Sequence, residues 1–159
     1  MKSPDDLLGR RLAWTHRVVH GVLDARMREQ GADFTTWKVL AHLTDGEHPS
    51  QRELAARILI DPATLVPHLD RLEADGLVER ARDERDRRVV RVLITSDGKA
   101  MHAALQRVAD ALDAELCELL TPDGYDSVLK AMQRISEHYA PGTAPFAPAV
   151  PAHSTGGAR

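Results

Sequence analysis

Cysteine is almost missing from this sequence: Cys117 is the only one in 159 residues. A lone thiol excludes an internal disulfide framework and a four-cysteine zinc site, it suits a reducing compartment, and it is expected as a buried small hydrophobe on the apolar run of a long helix. Aromatic residues are scarce too, at 4% of the chain, so the core has to be assembled from aliphatic side chains at helical spacing rather than from aromatic-rich strands. No apolar run approaches the ~18 residues that span a bilayer, and the opening MKSPDDLLGRR lacks the cationic-then-apolar order of a secretion signal. A cytoplasmic location with no membrane partner is the expectation. There is no glycine-rich phosphate loop, no GxSxG and no acid pair tied to a cleft, which leaves no catalytic reading and no cofactor to hold. Positive charge is not in excess either: 21 Lys and Arg stand against 24 Asp and Glu, for a net charge of −3. Any nucleic-acid surface must therefore be local.

What the chain does have is 43% hydrophobic residues, enough for one domain, arranged mostly at spacings of three and four. Leu8, Leu12, Val19, Val22 and Leu23, joined by Leu7, Trp14, Val18 and Ala25, mark a long helix from Leu7 to about Glu29, closed near Gly31. Asp33 can cap a second, short helix carrying Phe34, Trp37, Leu40, Ala41 and Leu43, and Asp45-Gly46 supplies a turn. Ser50-Gln51-Arg52-Glu53 is a capping box that opens a third helix. Asp61-Pro62, an N-cap followed by proline where no amide donor is needed, opens a fourth with Leu65, Leu69 and Leu72 inward and Gly76 at its end. Leu77 to Ala81 and Val89 to Ile94 read as a two-stranded hairpin. A fifth helix carries Met101, Leu105, Val108, Leu112, Leu116 and Leu119 on one seam. Thr121-Pro122 repeats the cap-plus-proline signal before a sixth helix with Tyr125, Val128, Leu129, Met132, Ile135 and Tyr139. Residues 1–6 and the Pro- and Gly-rich stretch 140–159 offer too little apolar surface to order and are expected to be disordered.

Two short helices joined by a tight turn and followed by a β-hairpin make a winged helix-turn-helix, in which the second short helix enters the major groove and the hairpin reaches the minor groove. The fold class is thus mainly α with a small hairpin, flanked by long first and last helices. Residues 76–91 hold six arginines (80, 82, 85, 87, 88 and 91) against four acids (79, 83, 84 and 86), a local +2 in an acidic chain. Guanidinium groups suit the narrow, negative minor groove, although charge alone would equally describe a solvated turn. The fifth-helix seam reads either as intradomain core or, because of its length, as a dimer interface.

The segment SQRELAARILIDPATLVPHLDRLEADGLVERARDERDRRVVRVLITSDGKA resembles the DNA-binding core of the MarR family of transcription regulators, and the order of helices extends the resemblance over 7–139. Its most specific part is Asp83-Glu84-Arg85-Asp86-Arg87-Arg88 followed by Leu93-Ile94-Thr95-Ser96-Asp97-Gly98-Lys99. The resemblance implies a DNA-binding lobe at about 33–95 and dimerisation helices at about 7–29 and 96–139. It implies a wing arginine at Arg88 braced by Asp86, an obligate homodimer on a double-stranded, pseudo-palindromic operator, and a small aromatic or anionic effector. Candidate DNA contacts are then Ser50, Gln51 and Arg52 on the third helix, Thr64, His68 and Arg71 on the fourth, and Arg82, Arg85, Asp86, Arg87 and Arg88 in the hairpin. Candidate interface residues are Leu8, Leu12, Leu112, Leu116, Val128 and Met132.

Pro67 departs from the family pattern. Inside the recognition helix it removes a backbone hydrogen bond and crowds the Ala63 carbonyl, so a kink or loosened first turn is expected, with Thr64 and His68 as base readers and Ala63 and Pro67 limited to apolar contacts. His16 and His20, at i and i+4, have a spacing that can hold a metal but no accompanying HExxH, and no metal is expected. With Arg17 and the indoles of Trp14 and Trp37 they could instead hold a flat carboxylate ligand, or simply be packing and surface residues. The peroxide-sensing branch of the family uses a first-helix cysteine that is absent here. A competing reading is a winged-helix protein-interaction module that has lost DNA binding.

Overall fold

The computed structural model describes residues 7–44 and 46–140. Among them the elements run α1 (Leu8–Glu29), α2 (Phe34–Ala41), α3 (Gln51–Arg57), α4 (Pro62–Ala74), β1 (Val78–Arg82), β2 (Val90–Ile94), α5 (Ser96–Leu120) and α6 (Pro122–Tyr139). Asp45 and, apart from Ala140, the ends expected to be disordered lie outside the described residues. The chain divides within α5 into two compact units, the first ending at Leu112 and the second beginning at Asp113.

In the first unit the helix starts follow from side-chain chemistry. Asp33 accepts the Thr36 amide at 2.8 Å, and Asp61 accepts that of Ala63 at 2.8 Å. The Ser50 hydroxyl accepts the Glu53 amide at 3.2 Å while the Ser50 amide donates to Glu53 Oε2 at 2.7 Å, completing the capping box. Two helix ends use glycine: with φ of 84° at Gly31 and 72° at Gly76, the Ala32 amide returns to the Met27 carbonyl and that of Leu77 to Leu72. The end of α3 has the same form, Ile60 N to Ala55 O at 3.0 Å, but with Leu59 at φ 56°. A leucine there costs about 1–2 kcal/mol relative to ordinary backbone.

The core gathers Val39 and Leu40 of α2 with Leu43 just after it, Leu54, Ala55 and Ile58 around α3, Leu65, Leu69 and Leu72 of α4, and Leu77, Val78 and Val92 of the hairpin. Lys38 reaches across to donate to the Ile58 carbonyl at 2.6 Å, tying α2 to the end of α3. The hairpin pairs antiparallel from Val78↔Ile94 to Arg82↔Val90. It is also flanked, which the sequence did not announce: Ser50 bridges Arg91, and the Val92 amide donates to the Pro49 carbonyl at 3.0 Å. Gly98 seats α5 against the start of β1, where an added Cβ would lie 2.0 Å from the Leu77 carbonyl oxygen.

Three expectations change. Helix α4 runs from Pro62 to Ala74 without a break at Pro67, because the first turn is already secured by Asp61, whose carbonyl accepts both the Thr64 and Leu65 amides. Thr121 precedes α6 but makes no capping hydrogen bond through its side chain; its backbone sits at positive φ, 61°, instead of the extended conformation usual at an N-cap. Cys117 is half-buried rather than buried. In the second unit the Tyr125 hydroxyl donates to Asp113, and this bond pushes the phenol up to about 12. No described helix is long and apolar enough to cross a membrane.

Candidate nucleic-acid interface

The hairpin tip is built by its own side chains. Asp83 accepts the amides of Arg85 at 2.8 Å and Asp86 at 3.0 Å, folding the 83–86 segment into a tight turn. The same carboxylate accepts Arg91 Nε at 2.8 Å. These bonds, the Asp86 amide first and then Arg91, pull the Asp83 carboxyl down to about 2. Asp86 in turn accepts Arg88 Nε at 3.1 Å and Nη2 at 3.3 Å, while the Arg88 amide donates to it at 3.0 Å. The fork holds one rotamer of a side chain that is still 91% exposed. Arg82 donates to the Arg87 carbonyl at 2.9 Å, and Arg85 and Arg87 are exposed.

The six arginines divide into two sets. Arg80 binds Glu73 through Nε at 2.9 Å and Nη2 at 2.6 Å, and Asp70 at 2.7 Å, fastening β1 to α4. Arg91 links Asp83 to Glu53 at 3.2 Å and to the His48 carbonyl at 3.3 Å, fastening the wing to the start of α3. Arg80 and Arg91 are struts; Arg82, Arg85, Arg87 and Arg88 face outward. The strut role was missed because both partners of each strut are acids whose apposition depends on the hairpin register, and only the run of charges is visible in sequence.

On α4, Ala63, Thr64, Val66 and Pro67 are exposed. His68, expected beside Thr64 as a base reader, turns inward and is 12% exposed. Arg71 donates to its Nδ1 at 3.1 Å and to Asp33 at 2.9 Å, which leaves the imidazole neutral with its proton on Nε2, 3.4 Å from Thr36 Oγ1. The Thr36 hydroxyl continues to Asp33 at 2.8 Å, closing a ring of four side chains between α2 and α4. Burial holds His68 below its usual value, with Asp33 opposing the shift. Ser50 and Gln51 are half-buried at the start of α3 and Arg52 is exposed.

The candidate ligand residues separate. His16, His20, Phe34 and Trp37 form a chain of ring contacts with centroids 5.6, 4.5 and 5.4 Å apart, and the Trp37 indole donates to Gln106 at 3.1 Å. Phe34 and Gln106 were not foreseen here; the i and i+4 register of the two histidines was the available cue. Trp14 is 64% exposed and shares with Arg10, Arg11 and Arg17 a separate groove along α1. Among the described residues no three potential metal ligands converge. Of the candidate interface residues, Leu8, Val128 and Met132 are exposed and Leu12 and Leu116 half-buried, whereas Leu112 is 7% exposed and already covered within one chain. Helix α6 buries none of its residues.

Residues 34–90 match the model of the MarR family. The transcriptional regulator SarZ of Staphylococcus epidermidis is 30% identical over 86 residues, 54% of this chain and 58% of that protein, so the chain spans little more than half the length of that curated relative. The repressor CouR bound to a 23-mer DNA duplex superposes with a TM-score of 0.77 at 27% identity, covering 86% of this chain and 98% of that one. CouR from Rhodococcus jostii RHA1 bound to p-coumaroyl-CoA gives a TM-score of 0.73 at 25% identity, covering 86% and 94%.

Proposed function

From the premise that this chain belongs to the MarR family, we propose that it is a sequence-specific transcriptional regulator, a ligand-responsive repressor that binds a pseudo-palindromic operator as a homodimer. The observation that carries the reading is Arg88, exposed at the hairpin tip yet held in one rotamer by the Asp86 fork. A braced cation beside the open face of a helix-turn-helix suits a minor groove next to a major-groove helix. CouR, similar in fold, has been solved on a DNA duplex. In this proposal Ser50, Gln51 and Arg52 meet phosphates, α4 meets bases, and Arg82, Arg85 and Arg87 add to the wing. The uncovered apolar side chains on α1 (Leu8, Trp14, Val18, Val22) and on α6 (Val128, Leu129, Met132) support a second copy as partner. In the same reading the effector lies against His16, His20, Phe34 and Trp37, whose chain of ring contacts suits a flat aromatic molecule; CouR has been solved with p-coumaroyl-CoA. The setting for such a regulator is the cytoplasm.

The test is binding of the intergenic DNA beside its own gene, followed by anisotropy at fixed salt, together with sedimentation at low micromolar concentration. A dimer that binds with a salt-dependent, sequence-selective affinity is expected. The double variant Val128→Glu, Met132→Glu is expected to sediment as a monomer and to lose operator binding with its wing intact. A well-folded monomeric parent, or a dimer that discriminates no duplex, would leave the interaction-module reading in its place.

A further inference from the structure

We propose that base recognition by this chain is dominated by thymine methyl groups, with Ala63 and Pro67 of α4 as the residues that read them, an inference that rests on the DNA-binding reading above. Helix α4 buries Leu65, Leu69 and Leu72, and at 100° per residue the side opposite that face carries Ala63, Pro67, Asp70 and Ala74, all of them exposed. This is the stripe that meets a groove when the opposite face is fixed in the core.

What the stripe offers in its first two turns decides what it can read. Guanine is read in the major groove by a guanidinium or ammonium, adenine by a carboxamide, and cytosine by a carboxylate. None of these groups occurs among Pro62, Ala63, Thr64, Val66 and Pro67. The groups further along are committed elsewhere: His68 has turned in toward Thr36, Arg71 donates to Asp33 and His68, and the Asp70 carboxylate takes Arg80 at 2.7 Å. The hydroxyl of Thr64 remains, and it serves any base.

The one feature of the major groove that an alkyl side chain recognises is the thymine C5 methyl. Ala63 and Pro67, one turn apart, present a methyl and a ring of methylenes. Proline is suited to the purpose, since its ring is rigid and loses no rotamer freedom on contact. The absence of an amide proton at Pro67 matters little to a surface that recognises shape and not polarity.

The experiment selects duplexes from a random pool with the full chain and maps the positions that α4 protects. Each thymine there is then replaced by deoxyuridine, which removes the methyl and alters no hydrogen bond. The expected result is a half-site with thymines facing α4, an affinity about fourfold weaker for each such methyl removed, and recovery when cytosine at the same place is replaced by 5-methylcytosine rather than left bare. Pro67→Ser and Ala63→Ser are expected to erase the difference between thymine and uracil. Uracil duplexes bound as tightly as the parent, or a selected half-site with guanines facing α4, would overturn the methyl reading and leave the regulator reading standing. A chain that enriches no sequence would overturn both.

Discussion

Arg91 and Asp83 stand across the base of the wing turn, Arg91 Nε donating to Asp83 Oδ2 at 2.8 Å, so that the first residue of the turn is tied to the strand that leaves it. The guanidinium continues to Glu53 in the capping box of α3. Wing and helix-turn-helix are thereby joined through polar contacts as well as through the core beneath them.

This arrangement fixes the acid response of the wing. The Asp83 carboxyl is held at about 2, below its ordinary 3.8, by the Asp86 amide and then Arg91. A carboxyl with a depressed value contributes stability that is fully present above about pH 4 and is lost as pH falls toward 2. Carbon-detected titration of Asp83 is expected to show a midpoint near 2 in the parent and one closer to the ordinary value in Arg91→Ala. An unchanged midpoint in the variant would mean that the backbone amides alone set it.

Replacing Arg88 by alanine removes the outward guanidinium but neither strut. Operator affinity is expected to fall by about 1–3 kcal/mol at matched salt, with thermal stability nearly unaltered because the side chain is 91% exposed. Asp86→Ala leaves the charge and frees the rotamer, and is expected to weaken binding less. Equal affinities of Arg88→Ala and the parent would take the wing out of the mechanism.

Pro67 sits in the sixth position of an unbroken helix, where an interior proline costs up to about 3 kcal/mol against alanine. Pro67→Ala restores the donor to the Ala63 carbonyl and is expected to raise the unfolding free energy by about 1–3 kcal/mol, measured with urea. Loss of stability would show that the local backbone is fitted to the ring.

Gly98→Ala is the opposite case. Its Cβ would press on the Leu77 carbonyl oxygen and on Ile94 Cγ1 at 2.8 Å, and that carbonyl also accepts the Thr95 amide and hydroxyl. A loss of about 3 kcal/mol is expected in the same urea measurement. A variant as stable as the parent would show that α5 can pull away from β1 at little cost.

Signals that act over three or four residues were legible from sequence: the Ser50–Glu53 box, the Asp33 cap and the Asp61-Pro62 start all stand where spacing put them. Hydrophobic periodicity located every helix to within a few residues. Signals that depend on two distant elements meeting were not legible. Arg80 and Arg91 looked like two more cations of a basic tip until Glu73, Asp70, Asp83 and Glu53 closed on them. His68 looked available until Asp33 and Thr36, more than thirty positions earlier, drew it in. Leu112, spaced like the rest of its seam, is covered by its own chain, because a seam about five turns long passes through surroundings that periodicity does not report.

The short pairing of Pro49 and Ser50 with β2 determines which strand of the sheet is left open. The more apolar strand, VRVLI, has neighbours on both sides, and the edge with no strand beside it among the described residues belongs to β1, VERAR, whose Glu79, Arg80 and Arg82 place charges along it and whose Arg80 amide is already taken by Glu73 at 3.2 Å. An edge of that kind is a poor template for a strand from another molecule, since any added chain would have to lie beside charged side chains. Crowding many copies together would therefore favour association through helices over edge-to-edge polymerisation of the wings.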